Sequence, residues 1–182
     1  MSNQPNILII QADEHRADCI GAYGNPDIKT PHIDSLATDG VRYDNSFCPY
    51  PVCTPSRHSF LTSLYARQHL GASNHCTIPQ GLPTFPRVLQ KAGYKTKAVG
   101  KMHLTPTYAD VGFDALILAE QNGNGRYEDD YHRWLRDEGV YDRINPPGDK
   151  KNHIRAINQS KVTDHTLYSV ITPDPGLRID EV

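Results

Sequence analysis

Residues 6–14 read NILIIQADE, a short apolar run that ends in polar and acidic side chains. A continuous apolar run of this length is typical of a strand that is buried on both faces of a parallel sheet. Asp13 and Glu14 follow at once, so two carboxylates lie at the carboxyl end of the predicted strand. In open α/β sheets that end faces the ligand crevice. The stretch therefore predicts both a fold class and one side of a site.

Helix and strand signals alternate along the rest of the chain. The pairs Thr30-Pro31 and Thr54-Pro55 predict two helix starts, with threonine as the N-cap and proline in the first turn. Apolar spacing predicts further helices over 84–92, 128–138 and 160–171, and strands over 41–47 and 94–99. Strands that alternate with helices predict an α/β fold, with a mostly parallel sheet flanked by helices.

The composition excludes several classes of protein. A formal net charge of −2 over 182 residues gives no electrostatic reason to expect nucleic acid or an anionic membrane as partner. The sequence has no run near the ~20 apolar residues of a membrane helix. No secretory signal is visible at the N-terminus, so a cytoplasmic protein is expected. The four cysteines include no C-x-x-C pair, which argues against a disulfide framework or a structural zinc site.

Two polar clusters are candidates for chemistry, and each has a plainer explanation. The adjacent carboxylates Asp13 and Glu14 repel each other unless a cation lies beside them, and such oxygen ligands suit Ca²⁺ or Mg²⁺. Cys53 lies just ahead of a predicted helix start, which favours negative charge, and Arg57 is one helical turn further on. Taken singly, the first cluster is better explained as a solvated acidic turn. A buried free cysteine explains the second.

Lys101 and His103 form a third cluster, directly after the strand predicted over 94–99. Their side chains lie on one side of an extended segment because side chains alternate along it. A lysine and a histidine that converge on an anion can bind it and donate a proton to a leaving group. Taken alone, the pair is better explained as an exposed basic loop.

Together and in this order, the three clusters resemble one enzyme family. The stretch 6–103 is similar to the N-terminal half of the sulfatase family, within the alkaline-phosphatase-like superfamily. The most specific signal is the Cys-x-Pro-Ser-Arg signature at 53–57, and the matching neighbours are 6–16, 21–25, 30–37 and 100–103. Weaker similarities follow at 129–139 and 163–166. The resemblance implies that 1–182 is the N-terminal portion of a catalytic domain, with a less regular end over 145–182.

The resemblance implies a role for each candidate residue. Cys53 matches the cysteine that a separate formylglycine-generating enzyme oxidises to formylglycine. The hydrated aldehyde is a geminal diol, of which one hydroxyl attacks the sulfate sulfur and the other later expels sulfate. Arg57 matches the residue that holds the formylglycine. Lys101 and His103 match groups that contact the sulfate and the formylglycine hydroxyls.

A metal site is implied by the same resemblance. Asp13, Glu14 and position 53 match metal ligands, and the metal is Ca²⁺ in most sulfatases, with Mg²⁺ or Mn²⁺ as alternatives. Position 14 is usually Asp or Gln in the family, so Glu14 departs from the pattern in length. The implied reaction is hydrolysis of a sulfate monoester, carried by a small molecule or a carbohydrate.

The sequence lacks signals that the second half of a sulfatase carries. No Asp-His-Gly or Asp-Asn-Gly motif occurs. Counted with glycine and without tyrosine, apolar residues make up roughly 39% of the chain, below the ~45–50% of soluble domains. A truncated sulfatase with an incomplete sheet is therefore expected. Two alternatives remain, namely a phosphonate or phosphate diester hydrolase of the same superfamily and a non-catalytic fragment that folds only with a partner.

Overall fold

The computed structural model describes residues 4–74, 76–120, 129–144 and 167–172. Within these ranges one sheet holds four strands in the order β1-β4-β2-β3, namely β1 (Ile7–Gln11), β2 (Lys95–Gly100), β3 (Ala115–Leu118) and β4 (Leu167–Thr172). β2 and β3 pair in parallel, whereas β4 is antiparallel to both β1 and β2. β1, β2 and β3 therefore run in one direction, so their carboxyl ends meet at one edge of the sheet.

The segment between β2 and β3 forms no helix, and the helices of the described ranges lie between β1 and β2 and between β3 and β4. They are α1 (Pro31–Asp39), α2 (Cys53–Thr62), α3 (Ala66–His69), α4 (Phe85–Lys91), α5 (Asp130–Asp137) and α6 (Tyr141–Ile144). Proline lies in the first turn of both α1 and α4, where its missing N–H costs nothing. The Asp129 side chain caps α5 by accepting a hydrogen bond from the backbone N–H of His132. No helix in the described ranges is long and apolar enough to cross a membrane.

The apolar core lies between α2, α4 and one face of the sheet. Its buried members are Leu61, Ala98, Met102, Leu104, Val111 and Leu118. Phe85 joins the two helices to the loop before β3, because its ring packs edge-on against Phe60 and Phe113. On the opposite face of the sheet, Leu8 and Ile10 are 50% and 57% exposed. Helices therefore cover one face of β1 more fully than the other in the described part of the chain.

Most of the predicted elements are present with small shifts at their ends. The run 6–11 forms β1, the stretch 94–99 forms β2, and the helices predicted over 84–92 and 128–138 are α4 and α5. The helix expected from Thr54 begins one residue earlier, at Cys53, with Val52 as its N-cap. Thr54 is therefore not the cap, because its backbone is already helical.

Two predicted elements are wrong. Residues 41–47 alternate like a strand, yet they form no regular element, and Val41, Tyr43 and Phe47 are each more than 70% exposed. Alternation alone cannot supply the neighbouring strand that a ladder needs. The helix expected over 160–171 is also wrong where the structure describes it, because Leu167–Thr172 is β4. Pairing with a strand on each side overrides a helical apolar spacing. Residues 145–151 and 160–166 lie outside the described residues.

Candidate active site

Asp13 and Lys101 meet where β1 and β2 end. The Lys101 Nζ atom lies 2.6 Å from Asp13 Oδ2, and the Arg57 Nη2 atom lies 3.2 Å from Asp13 Oδ1. The side chains of Lys101 and Arg57 are 0% and 3% exposed, against 15% for Asp13. Burial acts to raise the pKa of Asp13, but hydrogen bonds and positive charge from Lys101 and Arg57 outweigh it and hold that pKa below its ordinary value. The carboxylate is therefore the counter-ion of two buried cations.

Cys53 faces this ion cluster from the first turn of α2. The Lys101 Nζ atom lies 3.6 Å from Cys53 Sγ, so one ammonium contacts both the thiol and Asp13. Arg57 lies one turn further along the helix and donates from Nη1 to the backbone oxygen of Lys101. The helix fixes the spacing of Cys53 and Arg57, and the hydrogen bond from Arg57 joins α2 to the segment that follows β2.

Residues 101–104, termed the 101–104 turn, follow β2 and belong to no helix or strand. His103 has a φ of 51°, in the left-handed region that costs a non-glycine residue strain. Its backbone N–H donates to the buried carboxylate of Glu120, and its backbone oxygen accepts from Thr54 Oγ1 at 3.1 Å. Lys101 and His103 are both buried. The exposed basic loop that explained this pair from sequence alone is therefore wrong.

Glu14 is not brought into this cluster. Its side chain is exposed, and it makes no hydrogen bond or ion pair with the residues that the structure describes. Four of the other predicted residues converge through the contacts of Lys101 and Arg57, namely Asp13, Cys53, Arg57 and Lys101. His103 lies two positions after Lys101, and its backbone oxygen accepts a hydrogen bond from Thr54, the neighbour of Cys53. The acidic turn after β1 thus contributes one carboxylate to the cluster, and the second faces solvent.

Comparison with known proteins identifies the family. A family model described as "Sulfatase" matches residues 5–171. The arylsulfatase of Clostridium perfringens is 32% identical over 148 residues, which cover 74% of this chain and 31% of that relative. The chain belongs to the sulfatase family. The matched stretch spans about a third of the length of that relative.

Two solved structures share the fold of this sulfatase chain. One is a protein in complex with its substrate D-glucosamine-2-N,6-O-disulfate, with a TM-score of 0.51 and 31% identity over 57% of this chain and 21% of that one. The other is the phosphonate monoester hydrolase of Agrobacterium radiobacter, with a TM-score of 0.56 and 25% identity over 70% of this chain and 27% of that one. The expected alkaline-phosphatase-like α/β fold is confirmed as a partial domain.

Three residues that support the cluster of Asp13, Cys53, Arg57 and Lys101 were not predicted from the sequence, namely Thr54, Asn74 and Glu120. Asn74 Oδ1 accepts from the backbone N–H of Thr54 and so caps α2 from another segment. Thr54 Oγ1 contacts the backbone oxygens of Asn74 and His103, each at 3.1 Å. Glu120 follows β3 as Asp13 follows β1. The acidic residue directly after the apolar run 115–119 is therefore a sequence signal that could have indicated Glu120.

Two buried histidines, His58 of α2 and His69 of α3, pack against each other. His58 and His69 are both 0% exposed, with ring centroids 5.5 Å apart in an edge-on arrangement. His69 bonds Ser59 Oγ and the Gly71 N–H, whereas neither ring nitrogen of His58 has a hydrogen-bond partner among the described residues. Burial, with a smaller contribution from His69, lowers the pKa of His58 to about 4. His58 therefore packs here as a neutral ring.

The described residues do not form a divalent-metal site by themselves. They contain no group of three His, Cys, Asp or Glu side chains that could hold an ion. Both carboxylate oxygens of Asp13 already contact cationic side chains, and Ca²⁺ prefers about 6–8 oxygen ligands. The Asp13 carboxylate suits a hard cation, but the described residues do not supply the further ligands that such an ion needs.

Proposed function

We propose that this chain carries the N-terminal share of a catalytic site that hydrolyses sulfate monoesters. The observation that carries the proposal is the contact of Lys101 Nζ with both Cys53 Sγ and Asp13 Oδ2. It supports a nucleophile at position 53 beside a buried, compensated positive charge. Residues 1–182 are proposed as one portion of a catalytic domain, with 145–182 as its less regular end.

The nucleophile is proposed to be formylglycine made from Cys53. Cys53 fits the modification because it is half-buried at the start of a helix and carries the Pro and Arg of the signature at the required spacing. When present, the hydrated aldehyde supplies one hydroxyl for attack on sulfur and a second that expels sulfate as the aldehyde reforms. A formylglycine-generating enzyme is therefore a proposed partner of this chain.

The remaining residues have distinct proposed roles. Lys101 places an ammonium where negative charge develops on the sulfate oxygens, inside a site that is largely shielded from water. Arg57 binds Asp13 and the backbone of Lys101, so it orients Lys101 relative to residue 53. His103 is proposed to donate a proton to the departing alcohol oxygen. Arg57, Lys101 and His103 are all buried.

The proposed substrate class is a sulfate ester of a small molecule or a carbohydrate. One structurally similar protein was solved with a sulfated glucosamine as its substrate. The proposed metal is Ca²⁺, with Mg²⁺ or Mn²⁺ as alternatives. Asp13 and Glu14, together with position 53, are proposed as ligands that act once oxygens from outside the described residues complete the shell.

A second candidate is hydrolysis of phosphonate or phosphate diesters. It is favoured by the similarity to a phosphonate monoester hydrolase, which covers more of this chain than the sulfated-glucosamine complex does. Both reactions use a nucleophile at position 53 beside cationic side chains. The two reactions differ in the group that is transferred to residue 53, which is a sulfuryl group in one and a phosphonyl or phosphoryl group in the other.

The test is co-expression of the full chain with a formylglycine-generating enzyme, followed by peptide mass spectrometry. The peptide that contains Cys53 is expected to show the mass change from thiol to aldehyde. Cys19, Cys48 and Cys76 are internal controls, because none of them has Pro and Arg at the required offsets. An unmodified Cys53, under conditions that convert a known sulfatase, would overturn the proposal. Parallel assays with an aryl sulfate and a phosphonate monoester separate the two candidate reactions.

A further inference from the structure

Glu120 has a carboxylate that is buried against the 101–104 turn, which carries Lys101 and His103. It is 7% exposed and lies just beyond β3, whose backbone continues the parallel pairing through a bond from Ala119 N–H to Gly100 O. Glu120 Oε1 accepts from the backbone N–H groups of Met102 and His103, both at 2.9 Å, and Oε2 lies 3.0 Å from the same His103 nitrogen. One carboxylate thus accepts from two successive backbone donors.

Two successive N–H groups that point at one acceptor require an unusual backbone. His103 adopts a left-handed φ of 51°, which strains a residue that has a Cβ. Such a conformation persists when its surroundings over-determine it. Glu120 secures the turn from the β3 side, while Thr54 and Arg57 secure it from α2 through the backbone oxygens of His103 and Lys101.

Glu120 is itself held in place by a second buried carboxylate. Asp129 Oδ2 accepts from the Glu120 backbone N–H at 2.8 Å, and Asp129 Oδ1 accepts from the His132 backbone N–H at 2.8 Å. His132 Nδ1 also lies 2.6 Å from Asp129 Oδ1. The start of α5 therefore fixes the main chain at Glu120, which in turn fixes the turn after β2.

We propose that Glu120 is a positioning residue of the active site, which holds the 101–104 turn so that Lys101 faces residue 53. The inference rests on the proposed function, because it gives Lys101 and His103 their roles. Glu120 bonds backbone groups of the turn, so it acts through these two residues. An acceptor shared by two amides sets their relative orientation, which a single hydrogen bond would not.

The test compares the full-length chain with Glu120→Gln and with a matched control, Asp114→Asn. Asp114 Oδ2 accepts from the backbone N–H and the hydroxyl of Thr96, so it links the same two strands at their opposite end. Urea unfolding measures the stability of each protein. Amide exchange by NMR is then measured at Met102 and His103, and the acetylation rate of the buried Lys101 Nζ is followed by mass spectrometry.

In Glu120→Gln, the amide exchange rates of Met102 and His103 and the acetylation rate of Lys101 are expected to rise by at least about tenfold. This rise is counted beyond the increase that the lower stability of the variant explains. Asp114→Asn is expected to change these sites only as far as its stability predicts. Equal behaviour of the two variants at the turn would overturn the inference.

A measurement on the unmodified chain covers the case in which Glu120→Gln does not fold. Scalar coupling through the hydrogen bonds, from the amide nitrogens of Met102 and His103 to the carboxylate carbon of Glu120, is expected, and its absence would overturn the inference. These readouts do not depend on catalysis. Failure of Cys53 conversion with a firmly held turn would count against the proposed function and leave the geometry intact.

Discussion

The Nζ atom of Lys101 lies 2.6 Å from Oδ2 of Asp13, although 88 positions separate the two residues along the chain. The contact joins the ends of β1 and β2, between which β4 lies in the sheet. Arg57 of α2 shares the same carboxylate. Asp13 therefore links the ends of β1 and β2 to α2, beside the candidate nucleophile at position 53.

Asp13→Asn is expected to destabilise the chain by about 3 kcal/mol, since it leaves the buried cations Lys101 and Arg57 without their counter-ion. Urea unfolding followed by circular dichroism measures the loss. The control is Asp18→Asn, which removes the exposed ion pair with Arg16 and is expected to leave stability unchanged. Equal effects of the two substitutions would show that the Asp13 cluster does not hold the fold.

Acid is expected to destabilise the chain through His58. The unfolded histidine binds a proton below its ordinary pKa of about 6.5, whereas burial lowers the pKa of folded His58 to about 4. The stabilisation from His58 is therefore complete above pH 6.5 and is lost as the pH falls towards 4, amounting to about 3 kcal/mol.

Unfolding free energies of the unmodified chain and of His58→Leu, measured from pH 7 to pH 4, check this expectation. The variant is expected to lose most of this pH dependence, with a residual part from His69, whose pKa burial also lowers. His32→Gln, on the exposed start of α1, is the control and should keep the full dependence. Parallel pH curves for His58→Leu and the unmodified chain would contradict the assignment.

Calcium is expected to bind the 182-residue chain weakly, with a dissociation constant above about 1 mM. The reason is that Asp13 already pairs with two cations and that the described residues hold no three-ligand group. Isothermal titration calorimetry with Ca²⁺, Mg²⁺ and Mn²⁺ measures the affinity. Tight binding that survives in Asp13→Asn would point to ligands away from this cluster.

Sulfate ester hydrolysis by the formylglycine-bearing chain is expected to be at least about 100-fold slower than that of a longer relative, because the charge-stabilising set of the described site is partial. Turnover of an aryl sulfate is measured beside the Clostridium perfringens arylsulfatase, of which the matched stretch covers 31%. The unconverted Cys53 form of the same chain is the blank. Comparable turnover by the two enzymes would show that the chain holds a complete site.

Local signals predicted the elements that carry the candidate site. The apolar run before Asp13 and the proline-marked start of α2 are recognised without a partner segment, because each signal is contained in consecutive residues. β4 was not predicted, because its pairing with β1 and β2 depends on strands distant in sequence. The strand expected over 41–47 was wrong, because the fold leaves those side chains exposed.

The sequence by itself determined which residue types stand at the ends of the strands and that Cys53 and Arg57 share one helix, since spacing within a helix fixes their separation. Tertiary structure alone decided that Lys101 is buried between Asp13 and Cys53 and that Glu14 faces solvent. It also decided that Glu120 closes the turn at His103. These outcomes depend on the distance between segments and on burial, which is a property of the folded chain as a whole.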